Sequence, residues 1–457
     1  MKVLIVEDDA IIASGFNILF YMRNMKEVPL EVNTLSEKDI GIRGKLMVLS
    51  ITPILFLIVG LVYGIIDGSF SSVLNGFINI LLTPTILITD FIQVGGIEAA
   101  FINVGLIGLF NIYIMYHYRL QINGALIAGF FTVIGFSFFG KNLYNIIPIY
   151  IGGYLYTRYQ KMSFKDVIIA VMFGIALAPI ISEISFSGFL KPFWAVTVAI
   201  LVGIFIGFVI VPVSSHMLKF HDGYNLYNIG FTTGIIGTVL TSVLRSFGIT
   251  VEPVYILSEK NYLIIIVLLL IIFTVLLYVG LYTNRHAIKD YKNILQYKGR
   301  LITDFTHLVG FGITFVNMAI LGFLSLGYLL LSGGIINGPV LAGIFTVVGF
   351  GAFGKHIKNC LPVMTGVILT ALFLNKDLSS TSIIISVLFS TTLAPIAGTY
   401  GPILGFLAGI LHMILVANVG VIHGGVTLYN NGFAGGIVAS VLIPVINAFQ
   451  KEKKHAT

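Results

Sequence analysis

Charge is what this sequence lacks most. Of its 457 residues only 10% are Asp, Glu, Lys or Arg, whereas a soluble chain carries roughly 25% to cover its surface. Water is therefore not the solvent over most of the protein's area. Cysteine occurs once, at Cys360, which excludes an intramolecular disulfide and leaves the compartment open. No spacing of His, Cys, Asp and Glu reads as a metal site, and neither a nucleophile elbow nor a phosphate-binding loop is present. The expectation is a protein with no metal, no cofactor and no enzymatic activity. The net charge of +7 would suit nucleic acid in a soluble chain. In one this apolar it reflects basic loops on the cytoplasmic side of a membrane, so nucleic acid is not an expected partner.

What is abundant points the same way. The chain is 57% hydrophobic, with 36 Phe and 50 Gly and a mean hydropathy of +1.01. Small residues let helix backbones approach closely in lipid. The lipid bilayer is the expected partner, and the fold class is an all-α polytopic membrane protein.

Met1–Asp9 resembles the first strand of a bacterial response-regulator receiver, with its acidic Glu7-Asp8-Asp9 cluster. A receiver needs about 100 residues for its doubly wound sheet, and the membrane region begins near Leu46, so no receiver is present. Val3–Val6 is too short for a signal peptide. Residues 1–45 are read as a cytoplasmic tail, helical in part from Ala10 to Met22.

Apolar segments then follow at 46–66, 95–116, 123–140, 145–157, 167–182, 192–212 and 226–244. A second set lies at 262–283, 308–331, 338–354, 359–373, 382–397, 402–417 and 426–445. Residues 67–91 and 284–300 are mixed and do not cross. The two sets are copies. Gly124-Ala-Leu-Ile-Ala-Gly-Phe-Phe-Thr-Val-Ile-Gly-Phe136, then Gly140-Lys141, Asn145 and Pro148, returns 214 residues later as Gly338–Phe350, Gly354-Lys355, Asn359 and Pro362. Thr89-Asp90 recurs as Thr303-Asp304, and His221-x-Gly-x-x-Leu-Tyr227-Asn228 as His423-x-Gly-x-x-Leu-Tyr429-Asn430. Self-similarity of this extent predicts two structural repeats, 46–250 and 262–449, with a linker at 251–261 and a basic tail at 450–457.

Basic residues cluster in the N-terminal tail, at Arg119, at Arg158–Lys165, at Arg285–Arg300 and at Lys451–Lys454. Placing them all in the cytoplasm, with both termini, requires an odd number of crossings per repeat. About seven segments per repeat satisfy this. So do five, with the short pairs around Lys141 and Lys355 as re-entrant half-helices. Either way the repeats have inverted topology, as in many secondary transporters.

Lys141 and Lys355 are the first candidates for chemistry. Cations at broken apolar helices would attract an anionic group, helped by helix N-termini starting near Asn145 and Asn359. The alternative is a lysine that snorkels to the headgroups. Tyr227, Tyr429, Asn228 and Asn430 join them as candidate solute-binding residues. Asp90 and Asp304 are candidates for ion coupling or gating, since carboxylates at membrane depth are costly; alternatively each caps a helix, because Thr-Asp is a good cap signature. His221 and His423 are candidates for a proton-linked switch, or equally for capping the helix that follows. Asn103 and Asn317 are read as hydrogen-bonding a neighbouring helix. Glu98 and Glu183 face Gly312 and Thr399 in the other repeat and mark broken symmetry.

The doubled Phe-Gly-Lys and His-x-Gly-x-x-Leu-Tyr-Asn motifs resemble a family of uncharacterised prokaryotic multi-spanning membrane proteins grouped under a domain of unknown function. The resemblance covers 45–449 and implies the membrane class. The plan of two inverted halves with half-helices is also similar, at fold level, to urea transporters. The expected function is transport of a small polar, anionic solute across a bacterial or archaeal inner membrane, by a secondary transporter or facilitator. A channel for a neutral solute such as urea and a non-transporting scaffold or sensor subunit are the alternatives. Assembly into a homo-oligomer stays open.

Overall fold

Helices form almost everywhere that the apolar runs predict them. The computed structural model describes residues 38, 40–66, 70–86, 88–251 and 254–455. The partly helical stretch expected at Ala10–Met22 lies outside the described residues. The first repeat comprises α1 (Gly41–Ile66), α2 (Phe70–Leu82), α3 (Phe91–His117), α4 (Gly124–Phe136), α5 (Leu143–Tyr159), α6 (Ile168–Gly174), α7 (Ala178–Phe186), α8 (Pro192–His221) and α9 (Asn228–Ser246). The second comprises α10 (Leu263–Thr283), α11 (Ala287–Asp290), α12 (Phe305–Leu308), α13 (Gly310–Ser332), α14 (Gly338–Phe350), α15 (Ile357–Phe373), α16 (Thr381–Ser390), α17 (Ala394–Tyr400), α18 (Pro402–Val419) and α19 (Asn430–His455). A 3-10 turn joins α6 to α7 and another joins α16 to α17, so each pair is one bent span. The helix of α19 continues into the stretch read as a basic tail.

Ten of these stretches are long and apolar enough to cross a bilayer, five from each repeat. The protein is thus a multi-pass membrane protein. The 13-residue helices α4 and α14 are different. At 1.5 Å per residue each is about 20 Å long, against a hydrocarbon core of about 30 Å. Arg119 and Asn123, before α4, line the same surface depression as Lys165, after α5, and the Tyr118 and Phe164 rings lie 5.2 Å apart. The α4–α5 hairpin therefore enters and leaves by one face. In the second repeat Asn337 Nδ2 donates to Thr381 Oγ1 at 2.7 Å, closing the α14–α15 hairpin in the same way. Each repeat has five long spans and one re-entrant hairpin, which keeps the crossing number odd.

Equivalent helices run in opposite directions. The start of α1 lies against the end of α10: Lys38 N–H donates to Thr283 O at 2.9 Å, and Lys45 Nζ sits 3.8 Å from the centroid of the Phe311 ring. The half-helices α4 and α14 pack antiparallel, with Gly124 beside Ala352 and Gly338 beside Phe138. Helices α9 and α19 cross at Gly230 and Gly432, where a Cβ on either would lie 2.9 Å from the other's Cα. Only glycine permits that approach. The inverted arrangement expected from the basic loops follows from these contacts.

Phe56 meets Phe101, Phe138 and Phe345 edge to face, in a cluster between α1, α3 and the hairpins. The outer surface is apolar, with Ile65, Phe193, Trp194 and Leu263 exposed, as a lipid-facing wall requires. Residues 254–261 of the connecting segment are tied to both repeats. Ile256 exchanges backbone hydrogen bonds with Ile88 and Asp90, and Asn261 Oδ1 accepts from Ile336 N–H at 2.9 Å.

Candidate functional site

Each half-helix ends in the same turn. Gly140 and Gly354 adopt φ of 78° and 90°, a region open to glycine at little cost, and Leu428 and Leu226 of the opposite repeats press against them. The next helix then restarts with a capping box: Asn142 with Asn145 for α5, and His356 with Asn359 for α15. Asn103 Nδ2 donates to the carbonyls of Ser137 and Lys141, and Asn317 Nδ2 to those of Gly351 and Lys355. These bonds satisfy carbonyls that a broken helix leaves open in lipid.

The turn aims its lysine into the other repeat. Lys141 Nζ donates to Tyr429 Oη at 2.8 Å and Lys355 Nζ to Tyr227 Oη at 2.5 Å. Each lysine also lies over aromatic faces: Lys141 over Phe136 and Tyr429 at 4.9 and 4.8 Å, Lys355 over Phe350 and Tyr227 at 5.1 and 4.5 Å. Between them Phe136, Phe139, Phe350, Phe353, Phe389, Tyr227 and Tyr429 make one cluster, separate from the main core. Such reciprocal exchange defines a two-fold axis, and the aromatic cluster lies on it.

The symmetry is incomplete. Lys355 donates a second bond, to Thr391 Oγ1 at 2.7 Å, while the position equivalent to Thr391 is Ile175. Both lysines are fully buried, and among the described residues no carboxylate lies within ion-pair distance of either. An ammonium offers three donors. Lys141 has one hydrogen-bond acceptor and Lys355 has two.

The other candidates lie outside this cluster. Asn145 and Asn359 are engaged within their turns: Asn145 Oδ1 accepts from Asn142 N–H, and its Nδ2 donates to Gly140 O and Ser182 Oγ. Asn359 is held likewise by His356 and Gly354. Asn228 and Asn430 clamp α9 and α19 to the preceding spans through Ser214 O and Val416 O. Their side-chain oxygens meet His221 Nε2 at 3.0 Å and His423 Nε2 at 2.9 Å. The histidines hold the helix starts, and their Nδ1 atoms have no hydrogen-bond partner among the described residues.

Asp90 and Asp304 are caps of an unusual kind, because each serves two helices. Asp90 accepts from Ile92 N–H of α3, from Ser258 N–H of the connecting segment and from Gly338 N–H at the start of α14. Asp304 accepts from Thr306 N–H of α12 and from Gly124 N–H at the start of α4. A carboxylate at two helix N-termini satisfies orphan donors and both dipoles at once.

The family profile described as "Protein of unknown function (DUF1576)" matches the chain twice, over residues 69–246 and 283–448. The chain belongs to the DUF1576 family. No curated protein and no solved structure matches it. The two matched segments contain the two Lys-Tyr partners in exchanged positions, so the duplication of this DUF1576 chain and its central Lys-Tyr cluster coincide.

Sequence reading missed Phe136, Phe350, Phe389 and Thr391 as parts of the chamber. Phe136 and Phe350 close the repeated string 214 residues apart, so a signal for them existed. For Thr391 there was none, because its counterpart is aliphatic.

Proposed function

We propose that the protein is a secondary transporter or facilitator for a small, negatively charged polar solute, held in the chamber between Lys141 and Lys355. The supporting observation is the crossed pair of buried lysines, each bound to the other repeat's tyrosine with no carboxylate partner within ion-pair distance among the described residues. Removing an ammonium from water costs several kcal/mol unless an opposite charge compensates. Here the protein supplies hydroxyls and ring faces, and an anionic solute completes the set. Phe136, Phe350 and Phe389 would seal the chamber on either side of it, and the inverted repeats give two related routes of opening. Asp90, Asp304, His221 and His423 then fix helix starts, and coupling is not assigned to them.

A second reading is favoured by the full burial of both lysines: a scaffold in which the Lys-Tyr pairs only fasten the repeats together. The test is anion flux in proteoliposomes, comparing the wild type with Lys141→Met and Lys355→Met, across inorganic oxyanions and small carboxylates. Flux in the wild type that falls at least tenfold in both folded variants supports transport through the chamber. Flux absent from the wild type, or unchanged in both variants, supports the scaffold.

A further inference from the structure

The mouth of the first hairpin carries a feature that the chamber does not use. A depression of about 360 Å³ lies where α3 ends, α4 begins and the segment after α5 returns. Leu120, Leu126, Ile168 and Ile169 give it an aliphatic wall, and Arg119 and Lys165 stand over it. Both cations are exposed, and among the described residues no carboxylate pairs with either. The nearest acid in sequence, Asp166, accepts from Ser163 N–H instead.

We propose that this depression binds the phosphate headgroup of an anionic phospholipid, with an acyl chain against Ile169. Three observations favour a lipid over a free anion. The site joins a cationic rim to an aliphatic wall, which matches an amphiphile and gives a hydrated ion nothing to do with half of the surface. Tyr116 and Tyr159, exposed at the last turns of α3 and α5, are residues of the kind that settle at the headgroup level. The depression also lies on the face where Lys38 and Lys45 begin α1, the basic side of the protein. The second repeat has Gly333 and Ser379 where the first has Arg119 and Lys165. The site is therefore confined to one leaflet. This inference is independent of what the chamber carries.

The test uses the delipidated full-length protein in mild detergent, with thermal unfolding followed on adding phosphatidylglycerol, phosphatidylcholine or inorganic phosphate. A ligand that binds the folded state raises the melting temperature by mass action. Phosphatidylglycerol is expected to raise it by several degrees more than phosphatidylcholine, and Arg119→Gln with Lys165→Gln to abolish that difference. Arg119→Lys with Lys165→Arg keeps the charges and should retain it. If the double Gln variant does not fold, each single Gln variant should lose part of the difference. A preference for phosphatidylglycerol that survives the charge removal overturns the proposal. So does equal stabilisation by inorganic phosphate, which would assign a free oxyanion site.

Discussion

Lys141 and Tyr429, 288 residues apart in the chain, share a 2.8 Å hydrogen bond in which the ammonium donates to the phenol oxygen. Among the described residues it is the one hydrogen bond that Lys141 Nζ makes, and its mirror bond at Lys355 has a second acceptor beside it. That difference ranks the effects of substitution.

Lys141→Met is expected to leave the fold at least as stable as the wild type, because it removes a buried cation whose desolvation costs several kcal/mol. Lys355→Met should be less favourable, since it removes two hydrogen bonds, to Tyr227 and Thr391, where Lys141→Met removes one, each worth about 0.5–1.5 kcal/mol. Melting temperatures of the two variants in one detergent check the order.

Tyr429→Phe leaves Lys141 without a hydrogen-bond acceptor, whereas Tyr227→Phe leaves Lys355 bound to Thr391. The first should destabilise by about 1–3 kcal/mol and the second by about half as much. Thr391→Val in the Tyr227→Phe background should restore equality. A double-mutant cycle on unfolding measures the coupling directly.

Asp90→Ala removes the acceptor for three backbone N–H groups, at about 1 kcal/mol for each helix start that loses its cap. A loss of about 2–3 kcal/mol is expected. Asp304 is 18% exposed, so water replaces part of its role and Asp304→Ala should cost less. Since neither carboxylate reaches the chamber, any flux should persist in the folded protein. Denaturant titration and proteoliposome flux test the two halves of this expectation.

Topology can be read with impermeant thiol reagents in a Cys360→Ala background. Gln121→Cys and Ser163→Cys flank the first hairpin and should label from one face, and Ser379→Cys, after the second hairpin, from the opposite face. Labelling of Gln121→Cys and Ser163→Cys from different faces would show that the first hairpin crosses.

Much of this arrangement was legible in the sequence. The string ending at Phe136 and its copy ending at Phe350 gave helices with matching boundaries, and Gly-Lys marked both turns. The basic loops gave the inversion through parity alone. Thr89-Asp90 and Thr303-Asp304 carry a cap signature, but the expense of a carboxylate at membrane depth favours a coupling role in the sequence, and a sequence cannot show that each cap also serves a helix of the other repeat. Nor could the pairing of Lys141 with Tyr429 be read, because both residue types recur in each copy and nothing local says which copy partners which. The segment at 251–261 looked like a spacer since it has no apolar period. Its ties run mostly through backbone groups of Ile256 and Ser258, which leave no mark on residue identity.

The exchanged caps and tyrosines carry a historical consequence. In one repeat alone, α4 would begin without Asp304 and Lys141 would point at no phenol. A half-length ancestor could have built this chamber only as a pair of identical chains inserted in opposite orientations, each completing the other. Fusion into one gene then fixed the relative orientation of the two halves. It also freed each half to change alone, and Thr391 opposite Ile175 is one place where they have parted.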